Sequence, residues 1–108
     1  MKKTKLGEFE EFVLLAVIAL GEEAYGVMIK AELEERLREK LSVGSIQSAL
    51  KRMEEKGFLK SVFGEATAKR GGKRKRIYMA TPYAQRVLEE IRAVREGLWA
   101  TILKINNI

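Results

Sequence analysis

The chain has 108 residues, 46% of them hydrophobic and 33% charged, with a formal net charge of +6; that is enough for one helix-rich globular domain with a single core. It contains no His, no Cys and no Asp, which removes the usual ligands for zinc and copper, all disulfide and thiol chemistry, and most general bases and nucleophiles. No Glu sits in a motif that suggests a Glu-only active site, so the expectation is a protein that is not an enzyme and uses no metal or cofactor.

Lys2, Lys3 and Lys5 are followed by Glu8, Glu10 and Glu11 before the longest apolar run, Phe12 to Leu20. That order is not a signal-peptide pattern, and the run is far short of the roughly 20 residues that span a bilayer. The expected setting is the cytoplasm, with no membrane partner. Gly7 to Leu20 reads as a first helix. Its apolar residues leave few polar faces, so it is expected to be central, and Gly21 is placed to stop it.

Tyr25 or Gly26 to Lys40 reads as a second helix, with Ile29, Leu33, Leu37 and Leu41 at four-residue spacing. Glu32–Arg36 and Glu34–Arg38 are i,i+4 pairs on its solvated face. Ser42 to Lys56 reads as a third helix, with Ser42 as N-cap and Gly57 as the terminating glycine. Its apolar stripe is Ile46, Ala49, Leu50 and Met53. The opposite side carries Gly44, Gln47, Ser48 and Lys51, flanked by Ser45 and Arg52. Small polar groups followed by cations suit a helix whose N-terminal half approaches a surface closely, although alone such a face also fits an ordinary solvated one.

Phe58 to Phe63 and Arg74 to Thr81 read as strands joined through Gly71-Gly72, a strong hairpin signal because both glycines tolerate positive φ. The segment Lys69-Arg70-Gly71-Gly72-Lys73-Arg74-Lys75-Arg76 holds six basic residues and no acid. Without it the chain keeps 15 basic and 15 acidic residues, a net charge of zero. All the excess charge therefore lies in one hairpin, whose arms from Gly64 to Arg76 carry too few apolar residues to be buried. A solvated loop or an anionic membrane surface would also fit a charge run; a polyanion fits a charge confined to one tip behind two helices.

Thr81-Pro82 opens a last helix, with Thr as N-cap and Pro at the first helical position. Val87, Ile91, Val94, Leu98, Ile102 and Ile105 follow at three- and four-residue steps, a coiled-coil-like spacing. A helix of some 22 residues, about 33 Å long, outreaches what a three-helix core can cover. Its far end, with Ile91, Val94, Leu98, Trp99 and Ile102, is expected to form an isologous homodimer interface, Trp99 serving packing rather than a ligand platform. The fold class is thus mainly α with a small β-hairpin: a winged helix-turn-helix over residues 1–81 and a C-terminal dimerisation helix over 82–108.

The order of these pieces resembles the PadR family of transcriptional regulators in its short form. The resemblance rests on Leu6-Gly7-Glu8-Phe9-Glu10, Tyr25-Gly26, Ser42-Val43-Gly44-Ser45-Ile46, the run Ala49 to Gly57, Arg70-Gly71-Gly72-Lys73, Lys75-Arg76-Ile77-Tyr78 and Thr81. It implies a dimeric, repressor-type regulator binding double-stranded DNA at a pseudo-palindromic operator, with the third helix in the major groove and the wing along the backbone or minor groove. It also implies a small apolar ligand between the C-terminal helices, as in some short members. The DNA-binding set is then Ser45, Gln47, Ser48, Lys51 and Arg52 on the helix and Lys69, Arg70, Gly71, Gly72, Lys73, Arg74, Lys75 and Arg76 in the wing. Two positions depart from the family. Gln47 stands where an aromatic residue is usual, and Gln pairs bidentately with adenine; Ala84 stands where Gly is usual and tightens the start of the last helix. The competing reading, favoured by Gln47, is a winged-helix protein-interaction module without specific DNA readout.

Overall fold

A computed structural model describes residues 6–64 and 74–106. Helix α1 (Glu8–Leu20) begins after Gly7, whose N–H is accepted by Glu10 Oε1 at 3.0 Å, and ends at Gly21, where φ is +58°. A short 3-10 turn (Gly21–Glu23) leads into α2 (Gly26–Leu37). The expected second helix ran to Lys40, but Arg38 adopts a left-handed conformation at φ +58° and ends it three residues earlier. Glu34 explains the stop: its Oε2 accepts the Leu41 N–H at 2.9 Å and pairs with Lys30 at 3.1 Å. The expected Glu34–Arg38 pair is therefore replaced, whereas Arg36 meets Glu32 at 2.8 Å as expected.

Helix α3 (Val43–Glu55) starts at the Ser42 cap, with Ser42 Oγ accepting the Ser45 N–H at 3.0 Å. It closes in a Schellman arrangement: the Phe58 N–H reaches Met53 O at 2.8 Å and the Gly57 N–H reaches Glu54 O at 3.2 Å. Only a residue tolerant of the left-handed region fits there, and Gly57 has φ +86°.

Strands β1 (Leu59–Phe63) and β2 (Arg76–Ala80) pair antiparallel from Leu59↔Ala80 to Phe63↔Arg76. The ladder extends one step further, with the Gly64 N–H donating to Lys75 O at 2.7 Å, and β2 joins the helical layer through the Tyr78 N–H to Ala24 O at 2.9 Å. Helix α4 (Pro82–Asn106) is capped by Thr81, whose Oγ1 accepts the Ala84 N–H at 3.1 Å and donates to Gly57 O at 2.7 Å.

One core joins these elements. Val13, Leu14 and Val17 of α1, Ile29 and Leu33 of α2, and Ile46, Ala49, Leu50 and Met53 of α3 close over Phe58, Leu59 and Tyr78 of the hairpin. Helix α4 joins it only at its start: Ala84 is buried, Tyr83 stacks on Phe58 with ring centroids 5.0 Å apart, and Val87 and Leu88 are half-buried. Beyond Arg95, which still reaches Glu11 of α1, the helix leaves the body, and the molecule extends over 61 × 30 × 21 Å. Among the described residues no helix is long and apolar enough to cross a membrane.

Candidate nucleic-acid interface

The two-sided pattern of α3 decides what it can present. With its apolar stripe in the core, Gly44, Gln47, Ser48 and Lys51 face solvent on the other side. Ser45 is half-buried, and its hydroxyl is spent locally, donating to Ser42 O at 2.9 Å. The stripe is small and polar over its first two turns, gains a cation at Lys51, and turns acidic at Glu55 one turn later. The exposed face is thus uncharged over the N-terminal half of α3 and carries its cation, Lys51, in the C-terminal half.

Gln47 lies against the start of α2. A Cβ built on Gly26 would come within 2.8 Å of Gln47 Nε2. Gly26 thus leaves the room in which the Gln47 amide lies.

Arg52, expected at the edge of this face, is engaged elsewhere. Its Nε meets Glu10 Oε2 at 2.9 Å, and Lys56 Nζ meets Glu10 Oε1 at 3.3 Å. Glu10 is only 6% exposed. Burial pushes its carboxyl pKa up, but the hydrogen bonds from Arg52, the Gly7 N–H and Lys56 outweigh that and hold it below the ordinary carboxylate range. Its contribution to stability is thus present at neutral pH and is lost as pH falls through that lowered value. This residue was missed as a site residue in the sequence. The available signal was a pair of cations, Arg52 and Lys56, one turn apart beside an apolar stripe.

Of the wing residues, Lys69, Arg70, Gly71, Gly72 and Lys73 lie outside the described residues. Arg74, Lys75 and Arg76 form the base of the hairpin and lean on aromatic rings. The guanidinium carbons of Arg74 and Arg76 sit 5.6 and 5.0 Å from the Phe63 centroid, and Lys75 Nζ sits 4.0 Å from that of Tyr25. Arg74 Nε also donates to Gly64 O at 3.0 Å. The Lys75 contact sets the base of the wing against Tyr25, the N-cap of α2, while the two arginines pack on β1.

The third set sits on α4. Ile91 is half-buried, whereas Val94 is 64%, Leu98 62% and Trp99 61% exposed, with Ile102, Leu103 and Ile105 exposed beside them. Near its middle the helix is tied to α1 by Arg95 Nη2 to Glu11 Oε1 at 2.9 Å. Among the described residues no cluster of acidic, His or Cys side chains could hold a metal ion.

The model of the Transcriptional regulator PadR-like family matches residues 14–90. Among solved structures, the chain is similar to a PadR-like transcription factor from Bacteroides fragilis, with 25% identity, a TM-score of 0.72, and 90% of this chain and 88% of that chain covered. It is similar in fold to a PadR-like transcriptional regulator from Bacillus cereus, at 22% identity and a TM-score of 0.70, covering 90% and 89% of the two chains. A PadR family transcription regulator from Clostridium difficile matches at 29% identity and a TM-score of 0.54, over 90% of this chain and 94% of that one. No protein with a curated description matches the sequence.

Proposed function

The chain belongs to the PadR-like family of transcriptional regulators, and from that premise we propose that it works in the cytoplasm as a homodimeric repressor on a pseudo-palindromic DNA operator. The observation that carries the reading is the α3 face. Gly44, Gln47, Ser48 and Lys51 are exposed on a helix whose other side is core, and the base of the basic hairpin stands beside the N-cap of the preceding helix.

In this reading α3 enters the major groove, with Gln47, Ser48 and Lys51 toward the bases and Ser45 and Arg52 at its borders. A Gln amide reads adenine through its donor and acceptor together, and each such contact adds about 1–3 kcal/mol of discrimination. The wing, Lys69 to Arg76, supplies phosphate attraction. Two wings neutralising three phosphates each give a salt slope on the order of −5. Residues 1–81 read DNA, and residues 82–108 bring two copies together through Ile91, Val94, Leu98, Trp99 and Ile102. Two α3 helices then meet successive major-groove faces about 34 Å apart. Repression follows from occupying promoter DNA. A small apolar ligand seated between the α4 helices relieves it by changing the separation of the two α3 helices.

The test is selection of bound sites from random or genomic DNA, followed by footprinting. The expected result is an inverted repeat with half-sites one helical turn apart, bound less tightly as salt rises. Arg70→Ala with Lys73→Ala should lower affinity for all sequences together and flatten the salt slope by about 2 or more. Recovery of no enriched sequence would favour the protein-interaction reading instead.

A further inference from the structure

Glu10 comes from the first turn of α1 and is built into place: its Oε1 accepts the Gly7 N–H at 3.0 Å and it is almost wholly buried. Its two long-range partners, Arg52 and Lys56, stand one turn apart on α3. At about 100° per residue, Gly44, Gln47 and Ser48 cluster around Lys51, while Arg52 and Lys56 lie about 100–140° away, at the border with buried Ala49 and Met53. A single carboxylate therefore holds two recognition-helix cations along the edge that faces α1, and it cuts their combined charge from +2 to +1. Among the described residues Lys51 has no ion-pair partner.

The geometry points to Glu10 as a specificity-determining residue that touches no DNA: it keeps Arg52 and Lys56 out of phosphate contacts, leaving Lys51 as the cation that α3 offers to the duplex. The inference rests on the DNA reading above and deepens it. Phosphate contacts raise affinity for every sequence alike, whereas base contacts separate one sequence from another. Restraining two cations per protomer lowers the first and spares the second. The sequence then discriminates through Gln47, Ser48 and Lys51 against a reduced background of sequence-independent attraction. Glu10 is a positioning residue, and its effect is read in the salt dependence of binding, which a purely structural role would not move.

Three proteins decide the matter: wild type, Glu10→Gln, and the triple variant Glu10→Gln/Arg52→Gln/Lys56→Gln, which keeps neutral hydrogen-bonding groups at all three positions. Binding of each to its selected site and to a scrambled duplex is measured by fluorescence anisotropy across a salt series, with circular dichroism melting to establish folding. Glu10→Gln removes the carboxylate charge set against up to four cations per dimer, so its slope on scrambled DNA should steepen by about 2 to 4. Its selected-to-scrambled affinity ratio should fall at least about threefold, because the released contacts carry no sequence information. The triple variant loses only the one net charge per protomer that the trio carries, so its slope should flatten by less than about 2. A triple variant with a slope flatter by about 3 to 4 would mean that Arg52 and Lys56 hold phosphates in the wild type, and would overturn the inference. An unchanged slope in folded Glu10→Gln would overturn it too. If Glu10→Gln does not fold, the comparison of triple variant with wild type decides alone. A wild type with no salt-dependent DNA binding at all sinks the DNA reading and this inference with it; every other outcome compares slopes within proteins that bind.

Discussion

Helix α3 and the distal half of α4 both repeat apolar residues every three or four positions, yet they bury them differently. On α3, Ile46, Ala49, Leu50 and Met53 are fully enclosed by α1, α2 and the hairpin. On α4, Val94, Leu98 and Trp99 stand more than half exposed, and the helix joins the core only through Tyr83, Ala84, Val87 and Leu88. The difference comes from chain length rather than pattern. At about 1.5 Å per residue, a 25-residue helix outruns a body that three shorter helices and a two-stranded hairpin build. An amphipathic pattern therefore says that a face will be covered and leaves open whether the same chain or another does the covering. A monomer rarely leaves so long an apolar stripe open to water, which is the physical case for a second copy on α4.

The comparison breaks first at α3. Leu50→Ala removes a fully buried side chain of the core cluster. It should destabilise the fold by about 2–5 kcal/mol, the usual cost of such a cavity, as measured by the shift in urea midpoint at constant m. A loss below about 1 kcal/mol would mean that α3 packs no more tightly than the exposed end of α4. The matching change on α4 is Leu98→Glu with Ile102→Glu. It should raise the dimer dissociation constant at least about a hundredfold, some 2.7 kcal/mol, in sedimentation equilibrium, while the far-ultraviolet signature of the body persists. A wild type that sediments as a monomer, or a variant that stays dimeric, would move the interface off this stripe.

The sequence made the local events readable and concealed the distant ones. Gly21, Ser42, Gly57 and Thr81-Pro82 mark element ends because each acts within a few residues, through a cap or a left-handed turn. The end of α2 slipped by three residues because it depends on Glu34 reaching seven residues ahead to the Leu41 N–H, while Arg38 takes up positive φ without a glycine to announce it. Glu10 reads in the sequence as one acid among several, since its partners lie 42 and 46 residues away. The base of the wing stays largely exposed, as its few apolar residues predict, and Phe63 and Tyr25 provide faces for its cations. Those rings read from the sequence as a strand residue and a helix start, and only the folded chain brings them to the charges.

Thr81 lies where the two regions meet, and its substitution has the smallest expected effect. Its hydroxyl accepts the Ala84 N–H and donates to Gly57 O, so one side chain caps α4 and fastens it to the turn that ends α3. Thr81→Ala removes both bonds and should cost about 1 kcal/mol in a denaturant titration. Thr81→Ser keeps the hydroxyl and should retain most of that. The second consequence concerns direction. If the cap sets the angle at which α4 leaves the body, then Thr81→Ala should loosen the spacing between the two α3 helices of a dimer, and the preferred half-site spacing in selected DNA should broaden. Unchanged spacing alongside the expected stability loss would assign the exit angle to the Phe58–Tyr83 stack and the Glu11–Arg95 pair instead, and the body would then be coupled to α4 through packing and charge rather than through its cap.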